Sequence, residues 1–268
     1  MIAFLRNRLL VLLSLLVSSP ALSQVVPVEF PKKGFFFSSG PTMTFLQERT
    51  DGELTIIAVM GYPGHFGLKE GDTFVNNRTA WMLGKMSERS KARANIVIFD
   101  SPSTLHGVSA RSNSDHLARI ESVVEFYKAR LRVPVWLFGH SDGSISVSEY
   151  QNSIGKTEQS IAGVILSSGR DETQIRYDWK SPALVLHHEK DGCKWTTFSG
   201  AKLYFSRIKK LNSGQTEFAT VVGGGSSLDP CSTGYHMYEG AFEETLNHIE
   251  DFIVRNNRQT SAQVNSER

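Results

Sequence analysis

Apolar residues recur along the chain in two rhythms: short, nearly continuous runs bounded by Gly, Pro, Asn or Asp, and longer stretches with apolar positions every third or fourth residue. The runs predict strands over residues 42–49, 53–60, 95–99, 133–138, 161–166, 183–187 and 217–222. The longer stretches predict helices near 74–89, over 114–130 with Leu117, Ile120, Val124 and Tyr127 on one face, over 144–152, over 198–210 and over 241–256. Because the first two runs flank Thr50-Asp51-Gly52, they read as an antiparallel N-terminal hairpin. From there on strand and helix alternate. That order predicts an α/β fold, a mainly parallel sheet covered by helices on both faces, in which fully buried strands lose the in-out alternation of a half-buried sheet.

The first residues add a leader to this picture. Arg6 and Arg8 precede the apolar run 9–17, and Ala21 and Ser23 are small residues at the spacing of a signal-peptidase site. The run is shorter than the roughly 20 apolar residues that span a bilayer, so residues 1–23 read as a secretory signal peptide. The expected organisation is that leader, a single domain over 24–258 and a polar, disordered tail over 259–268. The expected location is secreted or periplasmic, with no stable membrane insertion after cleavage. Without Arg6 and Arg8 the basic residues equal the 27 acidic ones. No basic stripe remains to bind nucleic acid, since Arg207, Lys209 and Lys210 read as a solvated helix end. In an exported chain the two cysteines, Cys193 and Cys231, predict one disulfide, with a loop-closure contribution of about 3 to 4 kcal/mol.

Candidate chemistry centres on the end of the run 133–138, which passes straight into Gly139-His140-Ser141-Asp142-Gly143. A strand that turns at once into a helix forces the residue at the turn into a strained backbone, and side chains two positions to either side must then be absent. This G-x-S-x-G spacing leaves Ser141 exposed at a helix start, where the partial positive charge of the helix favours an alkoxide. The Asp142 N–H would point to where a carbonyl oxygen develops charge.

On this motif and on the order of elements, the chain resembles the α/β-hydrolase family from about residue 42 to residue 255. The resemblance implies an oxyanion loop after an early strand, matched by Met60-Gly61-Tyr62-Pro63, with Met60 where the family often has His. Tyr62 N–H would be the second oxyanion donor, and Gly64-His65-Phe66-Gly67 would compensate for the missing His. It implies an acid after a late strand, matched by Asp191 in His187-His188-Glu189-Lys190-Asp191, with Asp171 or Glu172 as alternatives. It implies a base near the C-terminus, matched by His236, ahead of His65, His106, His116 and His248. The order Ser141, Asp191, His236 is then the family's own. A metal cluster at His187, His188, Glu189 and Asp191 is disfavoured, since adjacent strand residues point to opposite faces; no metal or organic cofactor is expected. The disulfide would tie the acid loop to the base loop.

The implied activity is that of a serine hydrolase forming an acyl-enzyme on a small-molecule or polymer-borne carboxylic ester. Peptidase, thioesterase or lactone hydrolase chemistry and a non-catalytic binding role are the alternatives. The short interval 167–182 leaves little room for a lid, and Tyr62, Phe66, Tyr177 and Trp179 are candidates for lining the substrate site.

Overall fold

The computed structural model describes residues 22–30, 40–105, 107–154 and 161–266, the last nine of them through their backbone. Eight strands form one sheet: β1 (Leu22–Val28), β2 (Thr42–Glu48), β3 (Leu54–Val59), β4 (Ala94–Phe99), β5 (Val135–His140), β6 (Gly163–Ser167), β7 (Ala183–His188) and β8 (Thr216–Val221). The helices are α1 (Arg78–Met86), α2 (Gly107–Ala110), α3 (Ser114–Leu131), α4 (Gly143–Ile154), α5 (Phe198–Leu211) and α6 (Phe242–Ser266). The strand order is β1-β2-β4-β3-β5-β6-β7-β8, and all pairs from β4 to β8 are parallel.

The expected antiparallel hairpin is present at the N-terminus, but between other strands. β2 pairs with β1 on one side and with β4 on the other, both antiparallel, so β4 separates it from β3. Thr50-Asp51-Gly52 therefore turns the chain past one strand position instead of into the neighbouring one. β3 is buried throughout and apolar but for Thr55, so it suits the sheet interior, where β4 and β5 flank it in parallel. The expected leader lies outside the described residues except for Leu22 and Ser23, the exposed start of β1. α6 runs on to Ser266, over the segment expected to be a disordered tail, because nothing from Gln259 onward breaks a helix.

The central strands divide their side chains between two cores. Leu54, Ile56 and Ala58 of β3 join Trp136 and Phe138 of β5 beneath α1 and α6, while Ile57 and Val59 join Val135 and Leu137 beneath α3, α4 and α5. This period-two division is what helices on both faces require. It holds the C-terminal ends of β3, β5, β6, β7 and β8 along one edge of the sheet, and the chemistry-bearing residues lie in the loops that follow these ends.

Candidate active site

β5 ends at His140, and Ser141 adopts a left-handed backbone conformation, φ 54°, before α4 begins at Gly143. A Cβ at Gly143 would collide with the Val59 carbonyl oxygen, and one at Gly139 would strike the backbone of Gly143. Both glycines are thus forced by the closeness of strand, turn and helix. The turn is fastened by the Ser141 N–H donating to Ser167 O at 3.0 Å. Gly61 lies directly opposite, so close that a Cβ there would sit 2.7 Å from Ser141 Cβ. The loop after β3 and the turn after β5 are therefore brought together, as expected.

That loop is held from β4. Asp100, at the end of β4, accepts from the Phe66 N–H at 2.6 Å and the Leu68 N–H at 2.8 Å. His65 Nδ1 lies 2.9 Å from Ser101 O, and the Ser101 N–H donates to Gly64 O at 2.9 Å. The segment 64–68 is thus anchored to the end of β4. Among the described residues, neither the Tyr62 nor the Asp142 backbone N–H donates a hydrogen bond. The Asp142 carboxylate is paired with Arg170 at 2.9 Å, which offsets a negative charge next to Ser141.

Asp191 and His236 meet in the same loop cluster. His236 Nδ1 lies 2.8 Å from Asp191 Oδ2, and both side chains are buried. Asp191 also accepts from the Cys193 N–H at 2.9 Å and the Thr196 hydroxyl at 3.1 Å, with His187 Nε2 at 3.4 Å. Burial alone would raise its pKa, yet hydrogen bonds from His187 and His236 outweigh burial and hold the carboxyl well below the usual carboxylate range. The His236 ring lies 5.0 Å from that of His140, the residue before Ser141, and the His236 carbonyl accepts from the Ser168 hydroxyl at 3.1 Å. The Ser141 hydroxyl makes no hydrogen bond among the described residues.

The alternative residues have other partners. Asp171 accepts from the Thr197 N–H and hydroxyl, both at 2.8 Å, and so braces the residue that caps α5. Glu172 pairs with Arg170. His187 reaches Thr196 O at 2.9 Å, whereas His188 reaches Gly223 O at 2.8 Å and stacks on Tyr235, so the two adjacent rings do not converge. His248 faces Glu244 on α6, and His106 lies outside the described residues. Trp179 is a core residue that donates to Asn152 at 3.0 Å, while Tyr62 is 72% exposed on its loop. Thr196, His140 and Arg111 also belong to the site and were not singled out in the sequence; His140 and Thr196 lie beside Ser141 and Asp191 in the chain, while Arg111 reaches the site from the end of α2. Thr196 alone carried a signal, five residues beyond Asp191.

Cys193 and Cys231 form the expected disulfide, with Cα atoms 4.6 Å apart. It joins the segment carrying Asp191 to the segment carrying His236. Replacing both cysteines by Ser is expected to lower stability by about 3 to 4 kcal/mol, and to reduce turnover beyond the loss of folded protein. Thermal melts and steady-state rates of the folded variant check both.

His116 is buried, 2.8 Å from the Ser146 hydroxyl. Burial first, then the positive charges of Arg111 and Arg119, push its pKa down to about 3. The folded chain therefore refuses a proton that the unfolded chain accepts below about 6.5, so this contribution is present above that pH and is lost as pH falls toward 3. Each such histidine should remove about 1.4 kcal/mol per pH unit across that window, and buried His140 is shifted in the same direction. Melting temperatures should fall between pH 7 and pH 5; a flat profile over that range contradicts this account.

The sheet order, the left-handed serine at the strand-to-helix turn and the loops gathered at the strand ends define an α/β-hydrolase fold. Neither a family model nor a curated protein matches the sequence. Solved structures resemble it in fold. A Xanthomonas campestris α/β serine hydrolase described as lacking a lid is 13% identical, with a TM-score of 0.54 over 90% of this chain and 96% of that one. A dienelactone hydrolase from Anabaena variabilis is 10% identical, with a TM-score of 0.61 over 88% of this chain and 99% of that one. Carboxyl esterase 2 from Tuber melanosporum is 14% identical, with a TM-score of 0.60 over 90% and 89%. As the short 167–182 interval predicted, residues 168–182 between β6 and β7 contain no helix or strand.

Proposed function

We propose that this chain is an exported serine hydrolase that cleaves carboxylic esters through an acyl-enzyme, with Ser141 as nucleophile, His236 as base and Asp191 as acid. The observation that carries the reading is the buried Asp191–His236 pair, 2.8 Å apart, in the loop cluster that also holds the strained Ser141 turn. With Nδ1 engaged by Asp191, His236 has Nε2 free to take the Ser141 proton as Oγ attacks the ester carbonyl. The Tyr62 and Asp142 N–H groups receive the oxyanion. Collapse expels the alcohol with the proton from His236, and water, activated by the same histidine, releases the acid and restores Ser141.

The absence of a helix between β6 and β7 supports an open site that admits small or polymer-borne esters. Export is supported by the leader-like residues 1–23 and by the disulfide, which persists in oxidising compartments. Among the described residues no helix is long and apolar enough to cross a membrane. The test is a panel of p-nitrophenyl esters of graded acyl length beside a p-nitroanilide and a thioester. Faster turnover of an ester than of either alternative supports the reading. Anilide or thioester turnover ahead of every ester redirects it to a peptidase or thioesterase, and no turnover at all favours a binding protein of this fold.

A further inference from the structure

Arg111 follows α2 and is 1% exposed, behind the loop that leaves β3. Its Nη1 donates to the Met60 carbonyl at 3.0 Å and lies 3.4 Å from the Ser146 hydroxyl on α4. Among the described residues its Nε and Nη2 are buried without a hydrogen-bond partner. A buried guanidinium with unused donors is costly, and an apolar side chain would fill the space more cheaply. What the charge does achieve is specific. Met60 is the residue before Gly61, which abuts Ser141, and two before Tyr62. Ser146 sits in the helix that starts at Gly143, directly after Ser141 and Asp142. One side chain thus spans the two segments whose N–H groups must converge on a single oxygen. Asp142, the acidic group whose charge bears on Arg111, is hydrogen-bonded to Arg170 instead.

We infer that Arg111 is a positioning residue for the oxyanion loop: it clamps the Met60 carbonyl against α4 and thereby sets the Tyr62 N–H relative to Ser141 Oγ. This rests on the serine-nucleophile reading above. Misplacing one donor of an oxyanion site weakens transition-state binding while hardly touching ground-state binding.

The test is the inactivation rate with a fluorophosphonate. Ser141 Oγ attacks phosphorus, the P–F bond breaks, fluoride leaves, the hydroxyl proton passes to His236, and the phosphoryl oxygen takes the place of the oxyanion. Arg111→Met should lower kinact by about 10- to 100-fold, with KI changed by less than about threefold, and Arg111→Lys should fall between it and the wild type. A purely structural role would lower the melting temperature without changing kinact per folded molecule. Folded Arg111→Met with kinact within about twofold of wild type overturns the clamp. Where Arg111→Met does not fold, Arg111→Lys decides: a kinact decrease of about fivefold or more supports the clamp, and a smaller change overturns it. A wild-type chain that is not labelled overturns the nucleophile reading, and the clamp with it.

Discussion

Ser141→Ala is expected to abolish ester turnover, with a loss of about ten-thousandfold to a millionfold, because the residue carries the bond-forming step and its neighbours cannot replace it. Oxyanion donors and substrate binding alone leave only the residual rate. The hydroxyl makes no hydrogen bond among the described residues, so its removal strands no buried partner. The melting temperature of Ser141→Ala should therefore match that of the wild type, since the close packing at Gly139 and Gly143 that forces the turn, and with it the φ of 54°, is unchanged. Rates on p-nitrophenyl acetate beside a melting curve check both halves. A variant that melts normally and retains more than about one-hundredth of the activity contradicts the assignment.

Asp191→Asn should be nearly as damaging, at about ten-thousandfold in kcat. Its carboxylate is buried and faces His236 Nδ1 at 2.8 Å; an amide there can present NH2 to the ring and turn it to the wrong tautomer. His187, Thr196 and the Cys193 N–H converge on the same group, so a stability loss accompanies the rate loss. Asp171→Asn is the informative contrast. That side chain caps the start of α5 through Thr197, so its replacement should lower the melting temperature and leave kcat within about threefold. The reverse pattern, with Asp171 governing kcat, would move the acid to the loop after β6.

Much of this was legible in the sequence, for physical reasons that can be named. Strands buried on both faces are nearly continuous apolar runs, so β3 to β7 announce themselves. The serine turn is legible because two glycines are forced by a collision that no other residue avoids. Asp191 and His236 follow from the family resemblance, which implies an acid after a late strand and a base near the C-terminus. Pairing was harder. The chain between β2 and β3 turns tightly at Asp51-Gly52, but whether it enters the neighbouring strand position or skips one depends on β4, some 40 residues later, a dependence with no local trace. β1 was hidden because its first residues, Leu22 and Ser23, fall at the end of the segment that reads as a leader. Arg111 was hidden because an arginine near a short helix reads as a solvated surface charge until the fold buries it against Met60. His140 was read only as the variable position of the motif; its packing against His236 joins residues 96 apart in the chain and exists only once β5 and the segment after β8 meet.

Covalent capture of the Ser141 hydroxyl decides whether it is an activated nucleophile. Purified protein treated with a fluorophosphonate and mapped by peptide mass spectrometry should carry a single adduct, on Ser141, absent from Ser141→Ala and much slower to form in Asp191→Asn. A folded sample that gains no adduct, or gains it on another residue, contradicts the account.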